Sequence, residues 1–379
     1  MDAPQQLVGR TLGGRYRLDE VLNTGGMGII FDATQLQVGR RVAVKVLKPT
    51  LTRNRSLVER FQLEVEVVAQ ISHPHVVSLF DTGQDGTGLT YLVMEFVEGK
   101  TLRQALRSGD LLLWEILEVF AQVCDALIEI HGQQIIHRDL KFDNIMVQRM
   151  RDGRIHVQLL DFGVAKLLTR DRNLTEGGQV AGTPGIVAPE LVDGHDPTAQ
   201  SDLYSLGVVL FTTLAGHAPF DGDNDLELMR AHKERALPNL RKIVDDRVPE
   251  EVIDLTYELL AKDPDLRPNS ARSVCSRLNT MASRIGERFP DATAYLPPSD
   301  DALEDSPSKV ESISDIEPID DVDADADGDN DDAQEDRGWI GILFPKPVVA
   351  PMTVVTSLSV ILMILITVLI YLIYQQIHA

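Results

Sequence analysis

Residues His137-Arg138-Asp139-Leu140-Lys141-Phe142-Asp143-Asn144 are followed by a second motif, Asp161-Phe162-Gly163. Together the two motifs supply three carboxylates, one lysine ammonium group and one side-chain amide. A carboxylate can orient a hydroxyl group and accept its proton, and a lysine can meet the charge of a phosphate. Amide and carboxylate oxygens are the ligands that Mg²⁺ prefers. The combination indicates transfer of a phosphoryl group from a nucleotide to an alcohol, a reaction that depends on positioning and charge neutralisation.

Two further motifs lie towards the N-terminus. The glycine-rich segment Thr24-Gly25-Gly26-Met27-Gly28 separates two predicted strands, and glycine lets backbone amides approach phosphates closely. Lys45 lies in the otherwise apolar strand 42–47, where a buried ammonium group needs a partner. On the helix that follows, Glu64 is the predicted partner, because Glu66 would point to another face.

On these motifs the chain resembles a protein kinase domain of the bacterial serine/threonine type, over about residues 16–285. The resemblance implies a bilobal α+β fold that binds ATP with Mg²⁺, or with Mn²⁺ as a possible substitute. It implies that Asp139 is the catalytic base and that Lys141, Lys45 and Glu64 serve catalysis, with Asn144 and Asp161 as metal ligands. It also implies the following nucleotide contacts: Leu22, Asn23, Thr24, Gly25, Gly26, Met27, Gly28, Ile30, Lys45, and the backbones of Glu95 and Val97.

The same resemblance assigns several residues outside the nucleotide site. Met94 matches the gatekeeper position, and Asp202 matches a buried anchor of the central helix of the larger lobe. Glu190, in Ala188-Pro189-Glu190, is expected to pair with Arg267. Lys141 marks serine/threonine rather than tyrosine specificity. Arg138 beside the catalytic Asp implies activation-loop phosphorylation, with Thr169, Thr175 and Thr183 as candidates. Thr175 is favoured as the phosphosite, and Thr183 is expected to contact the catalytic machinery.

Three residues depart from the family pattern. Asn23 replaces the first glycine of the phosphate loop, Phe142 replaces a proline, and Ile186 replaces a tyrosine. None of these substitutions removes a catalytic group. Asn23 and Ile186 nevertheless suggest an alternative, an ATP-binding pseudokinase that acts as a scaffold. In a third interpretation, the C-terminal segments are the functional part and the kinase fold only recruits partners.

Hydrophobic periodicity predicts the same two-lobed organisation. Short β-branched runs predict strands at 16–22, 28–33, 41–47, 76–80 and 90–95, whereas helical patterns predominate beyond Gly99, at 116–130, 201–215 and 252–261. Asp152-Gly153 predicts a hairpin turn immediately before Asp161. The predicted domains are an N-terminal tail (1–15), a small β-rich lobe (16–94), a larger α-rich lobe (95–285), an acidic disordered linker with a juxtamembrane segment (286–351), a transmembrane helix (352–374) and a short external tail (375–379).

The C-terminal quarter of the chain has a different composition. Between Asp300 and Asp336 there are 17 acidic residues and a single lysine, which accounts for most of the formal charge of −22. Such a tract cannot bury enough apolar surface to fold. Residues 352–374 carry no charge and are long enough to span a bilayer. Arg337 and Lys346 precede this span and no Lys or Arg follows it, which predicts a single-pass anchor in the bacterial inner membrane with the kinase domain cytoplasmic and the C-terminus external.

Composition also bears on compartment and partners. Cys124 and Cys275 lie in apolar helical patterns, and we interpret them as free thiols of a reducing compartment rather than a disulfide. The acidic balance argues against nucleic acid as a partner. The kinase resemblance implies partner proteins with Ser or Thr acceptors and other copies of the chain through trans-autophosphorylation, and the predicted span adds the membrane.

Overall fold

The computed structural model describes residues 4–48, 65–66, 68–161, 184–288 and 294–295. Its N-terminal part is a six-stranded antiparallel sheet with the strand order β1-β2-β3-β4-β6-β5. The strands are β1 (Thr11–Leu12), β2 (Tyr16–Thr24), β3 (Gly28–Gln35), β4 (Arg40–Leu47), β5 (Leu79–Gln84) and β6 (Thr90–Glu95).

Strict alternation along β4 explains how this sheet faces two cores. Val42, Val44 and Val46 point to one side, where they join a cluster that belongs to the sheet alone. Ala43 and Leu47 point to the other side and join the core that continues into the helical lobe. Lys45 belongs to this second face, and so the sheet's periodicity aims its ammonium group towards the larger lobe.

The N-terminal residues are part of the sheet rather than a tail, which corrects the prediction for residues 1–15 over the described part, 4–15. Leu7 is 4% exposed and Leu12 is fully buried in the sheet's own core. Polar contacts also join the start of the chain to β5, because Tyr16 Oη donates to Asp81 at 2.7 Å and Arg10 pairs with Asp85 at 2.7 Å. These contacts draw the two edges of the sheet together over the apolar cluster.

The second lobe is mostly helical, with a small sheet of β7 (Lys100–Thr101), β8 (Ile145–Arg149) and β9 (Ile155–Leu159). Thr101 and Gln104 form a reciprocal capping box at the start of the first helix. The helices of the described residues are α1 (Leu102–Arg107), α2 (Leu113–Gly132), α3 (Pro189–Val192), α4 (Ala199–Ala215), α5 (Asp225–Glu234), α6 (Glu250–Leu259) and α7 (Ala271–Arg288).

Helices α2 and α4 form the centre of this lobe. On α4, 14 of 17 residues are buried, so this helix runs through the core rather than over its surface. Helix α2 is buried along most of its length and packs against α7 and β9. The largest hydrophobic cluster therefore surrounds two long helices, whose ends reach the loop that contains residues 137–144.

The predicted α+β bilobal class is confirmed, and most element predictions agree with the structure within a few residues. The hairpin turn lies between β8 and β9, where Gly153 has φ +87°. The strand predicted at 76–80 is shifted, because β5 spans Leu79–Gln84 and Val76 makes only an isolated bridge to Leu159. Cys124 is buried and Cys275 half-buried, and both are free thiols as predicted.

The predicted linker needs one correction, since Tyr295 is 1% exposed and belongs to the core of the helical lobe. The rest of the acidic tract and the predicted span at 352–374 lie outside the described residues. Among the helices that the structure does describe, none is long and apolar enough to cross a bilayer.

Candidate active site

The loop at residues 137–144 brings three predicted functional side chains together. Lys141 Nζ lies 3.0 Å from Asp139 Oδ2. Asn144 Nδ2 donates to the same oxygen at 2.9 Å and to the Asp139 carbonyl at 2.7 Å. The Asp139 carboxylate is therefore held by one cation and one amide, at a side chain that is only 11% exposed. Its orientation is fixed by short-range contacts within a single loop.

Asp202, at the start of α4, is hydrogen-bonded to the first two residues of this loop. Its carboxylate accepts hydrogen bonds from the His137 N–H at 2.8 Å, the Arg138 N–H at 2.9 Å and His131 Nε2 at 2.9 Å. Arg138 has φ +64°, a left-handed conformation that is uncommon outside glycine. Because Asp202 is only 2% exposed, its bonds to the loop form where water competes little. They offset the strain at the residue before Asp139.

His137 links this loop to the second motif. Its Nε2 lies 3.0 Å from the Leu160 carbonyl, and its Nδ1 accepts a weak bond from the Asp139 N–H at 3.4 Å. One ring nitrogen donates and the other accepts, which is the pattern of a neutral imidazole with its proton on Nε2. The Leu160 N–H in turn donates to the Asn144 carbonyl at 2.8 Å. The residue before Asp161 is thus tied to both ends of the loop.

Asp161 and Lys45 form the second charged pair of the site. Their Oδ2 and Nζ atoms are 2.6 Å apart, with side-chain exposures of 21% and 12%. Asp161 has φ +49°, so two residues of the site occupy the left-handed region. The lysine comes from β4 of the small lobe and the aspartate from the segment after β9, and the pair therefore joins the two lobes. Glu64, the predicted partner of Lys45, lies outside the described residues, while Glu66 is exposed.

The glycine-rich segment forms the hairpin between β2 and β3. The Gly25 N–H donates to the Gly28 carbonyl at 2.9 Å, while Gly25 and Gly26 are exposed. At position 28, packing within the sheet requires a glycine, because a Cβ there would lie 2.4 Å from the Val46 carbonyl oxygen of β4. Only Gly25 and Gly26 thus remain as glycines whose small size could serve a ligand. Asn23 and Thr24, both exposed, pair with Ile30 and Ile29.

The remaining predicted nucleotide contacts lie around the same face of the sheet. Ile30 is directly opposite Lys45 in the β3–β4 register. Leu22 is 45% exposed, whereas Met27, Ile30 and Val97 are partly buried against the main core. Glu95 ends β6, where its N–H donates to the Ser78 carbonyl at 2.9 Å. An apolar surface with exposed glycines at its rim is the kind of site that accepts a purine ring and its phosphates.

Two contacts show how the larger lobe supports the site. Arg267 is fully buried and donates to both Glu190 oxygens at 2.8 and 2.7 Å, which confirms the pairing predicted from the sequence. Phe142 is buried, and the guanidinium of Arg103 lies 5.1 Å from its ring while also donating to Asp143 at 3.2 Å. The phenylalanine that replaces a family proline is thus accommodated by a helix α1 arginine.

A buried polar cluster lies beside residues 184–186. His232 of α5 has Nδ1 3.0 Å from Tyr204 Oη, and its backbone carbonyl accepts a bond from Lys262 Nζ. Burial, with the Lys262 charge adding to it, lowers the pKa of His232 to about 4. Burial and the Arg267 charge lower the pKa of Lys262 to about 8. The imidazole is therefore neutral at physiological pH.

Some predicted residues cannot be compared with the structure, and some supporting residues were not predicted. Thr169, Thr175 and Thr183 lie outside the described residues. Sequence reasoning gave no role to His131 or Arg103. Neither residue belongs to a short motif, and each contacts residues that are distant in sequence. His131 and Asp202, for example, are 71 positions apart. Arg103 lies in the first turn of α1 and His131 in the last turn of α2. Their positions at helix ends were the only sequence signal that could have indicated them.

Comparison with known proteins shows the family to which the chain belongs. The family model for the protein kinase domain matches residues 16–278 of the chain. The chain is 36% identical over 281 residues to the serine/threonine-protein kinase pkn3 of Myxococcus xanthus, covering 73% of this chain and 51% of that protein. It is 38% identical over 296 residues to the serine/threonine-protein kinase PknA of Mycobacterium tuberculosis, covering 77% of this chain and 66% of the relative.

Solved structures agree with the assignment. A single-substitution mutant of the PknI kinase domain of Mycobacterium tuberculosis superposes with a TM-score of 0.56 at 25% identity, covering 72% of this chain and 98% of the other. The chain belongs to the protein kinase family, and the relatives named here are bacterial serine/threonine kinases. It spans about half the length of pkn3.

Proposed function

We propose that the chain is an active serine/threonine protein kinase that transfers the γ-phosphoryl group of ATP to protein hydroxyls, including its own. The observation that carries the proposal is the convergence of Lys45, Asp139, Lys141, Asn144 and Asp161. All five of these predicted groups are described. Four of them form two ion pairs, Lys45–Asp161 and Lys141–Asp139, and Asn144 donates to Asp139. The backbone bond between Leu160 and Asn144 connects the two pairs. Family membership alone would also fit a chain that had lost one of these groups.

The roles follow from the chemistry of each group. Asp139 receives the substrate hydroxyl and accepts its proton, because its carboxylate is oriented by Asn144 and Lys141. Lys141, at 3.0 Å from that carboxylate, neutralises the charge that develops on the transferred group. Lys45 holds the phosphates of the nucleotide from the side of the small lobe. Within the described residues, Lys45 is paired with Asp161 through one of its three N–H donors, and the other two are available to the phosphates.

The residues of the site also suit a magnesium ion. Asn144 uses Nδ2 towards Asp139, which turns its amide oxygen away from that carboxylate, and Asp161 contributes a second hard oxygen ligand. Asn144 and Asp161 would hold Mg²⁺, which would supply positive charge to neutralise the phosphates. The backbone bond between Leu160 and Asn144 keeps the two ligand-bearing segments adjacent. Mn²⁺, which takes the same ligands, is expected to substitute for Mg²⁺.

The second candidate is an ATP-binding pseudokinase that serves as a scaffold, and the exposed Asn23 is the residue that favours it. The two functions are separated by measuring nucleotide binding and turnover on the same full-length preparation. An active kinase binds Mg²⁺-ATP and releases ADP as Ser and Thr residues become labelled. Binding without any labelled Ser or Thr supports the scaffold. If the Asn23→Gly variant then regains turnover, the loss is traced to the phosphate loop.

We also propose that residues 352–374 anchor the chain in the bacterial inner membrane. The support is their composition, 23 uncharged residues after the acidic tract. The test is fractionation of cells that produce the full chain beside a variant with Leu362→Arg and Leu365→Arg. Charged residues at the centre of a span oppose insertion. A full chain that stays in the membrane pellet after carbonate washing, while the variant is released, supports the anchor; release of both contradicts it.

A further inference from the structure

Tyr295 occupies a built position in the helical lobe. Its side chain is 1% exposed, and its hydroxyl donates to the Leu214 carbonyl at 2.7 Å. Its backbone N–H donates to the Leu111 carbonyl at 2.9 Å. A tyrosine that packs by chance on an apolar surface would leave its hydroxyl in water, whereas the hydroxyl and the backbone N–H of Tyr295 are both hydrogen-bonded inside the protein.

Three separate segments form the socket around this residue. Leu111 lies just before α2, Leu214 lies in the last turn of α4, and Arg247 lies in the loop before α6 with its guanidinium 6.0 Å from the ring. Burial raises the pKa of the Tyr295 phenol, and the nearby charge of Asp245 acts in the same direction. The hydroxyl therefore keeps its proton and remains a donor to the Leu214 carbonyl.

The socket lies at the opposite ends of the same two helices that support the catalytic loop. Helix α2 begins just after Leu111 and carries His131 in its last turn, while α4 begins near Asp202 and carries Leu214 in its last turn. The His131–Asp202 contact at 2.9 Å joins the pair at one end. Tyr295 joins the pair at the other end. The two long core helices are thus linked at both ends.

We infer that residues 294–295 are a docking segment that fastens the start of the acidic tract to the kinase lobe and completes its core. The occupant of the socket is the chain itself. The segment lies beyond residue 278, where the kinase match ends, and beyond Arg288, where α7 ends. The acidic tract starts at Asp300, only a few residues later. The folded unit therefore extends to Tyr295.

The experiment compares the full-length chain with Tyr295→Ala, Tyr295→Phe and, as a control, Leu266→Ala, which truncates a side chain that is 71% exposed. Hydrogen exchange is followed in peptides that contain Tyr295 and the start of α2. The inference predicts that the Tyr295 amide is protected, that Tyr295→Ala speeds its exchange at least about tenfold, and that the melting midpoint falls by roughly 5–10 °C. Tyr295→Phe keeps the ring and should lie between the two, while Leu266→Ala should behave like the parent.

Two results would overturn the inference. One is rapid exchange of the Tyr295 amide in the parent chain. The other is a Tyr295→Ala variant with unchanged exchange and an unchanged melting midpoint. Phosphotransfer at 20 °C is measured in parallel and should stay within about twofold of the parent, since Tyr295 does not belong to the catalytic site. Loss of phosphotransfer in the parent would count against the proposed function and leave the docking result to be judged on exchange alone.

Discussion

Replacing Asp202 by asparagine tests whether one buried carboxylate fixes the catalytic loop. The parent carboxylate accepts three N–H donors, two on Oδ2 and one on Oδ1. An asparagine oxygen could keep the bonds from His137 and His131, but its amide NH₂ would then face the Arg138 N–H, donor against donor. The Arg138 bond is lost, and with it the contact that offsets the left-handed φ of +64°.

The size of the effect follows from these contacts. A hydrogen bond to a charged group contributes about 1.5–3 kcal/mol, and an opposed buried donor costs about 1–3 kcal/mol more. Allowing for local relaxation, Asp202→Asn should lower the free energy of unfolding by about 2–4 kcal/mol. The residue next to Arg138 is Asp139, so a shift of the loop by about 1 Å should lower the rate of phosphotransfer on the order of a hundredfold.

The assay measures urea unfolding and phosphotransfer on the same full-length preparations. The control is Asp254→Asn, which changes an exposed carboxylate paired with Arg241 and should alter stability by less than about 1 kcal/mol. If Asp202→Asn lowered stability but left the rate per folded molecule unchanged, the carboxylate would support the lobe without positioning the loop. If neither quantity changed, the reasoning from these three hydrogen bonds would be wrong.

Three further predictions rest on buried or paired charges. Replacing Arg267 by alanine leaves the Glu190 carboxylate, whose side chain is 11% exposed, without its bidentate partner. The free energy of unfolding, measured by heat and urea, should fall by about 3–5 kcal/mol. An unchanged melting curve would contradict this. Lys45→Met should weaken Mg²⁺-ATP binding, measured by calorimetry, and lower phosphotransfer at least about a hundredfold. Circular dichroism should show that the variant is still folded. Wild-type turnover in this variant would refute the role of the Lys45–Asp161 pair. His232 has a folded-state pKa of about 4, below its unfolded value, so its contribution is complete above about pH 6.5 and is lost as the pH falls towards 4. Urea unfolding between these pH values should show a slope of up to about 1.4 kcal/mol per pH unit, and that slope should shrink in His232→Gln.

The contacts of the candidate catalytic residues could be predicted from sequence because the proposed chemistry demands particular residue types at short spacing. Asp139, Lys141 and Asn144 lie within six residues, and the structure brings them into contact as the motif indicates. The fold class was equally accessible, since strand alternation in β4 and helical periodicity in α2 are properties of local sequence.

Contacts between distant segments could not be predicted in this way. Leu7 and Leu12 occur in short apolar stretches that the sequence analysis assigned to a tail. The structure shows that both side chains belong to the core of the N-terminal sheet. Tyr295 is a single aromatic residue in a polar segment, and its burial depends on a socket formed by three remote segments. The Lys45–Asp161 pair joins two segments 116 residues apart and was not predicted, while the pairing of Lys45 with Glu64, which lies outside the described residues, stays a prediction.

The central claim is that the Asp139 carboxylate and its neighbours transfer a phosphoryl group to Ser and Thr. Its most direct test is incubation of the full-length chain and its Asp139→Asn variant with Mg²⁺ and γ-labelled ATP, followed by phosphoamino-acid analysis. Asparagine is close to isosteric with aspartate, so the variant should fold and bind ATP normally. The account predicts phosphoserine or phosphothreonine in the parent and at least about a hundredfold less in the variant. Equal labelling of both chains, or label on tyrosine alone, would contradict it.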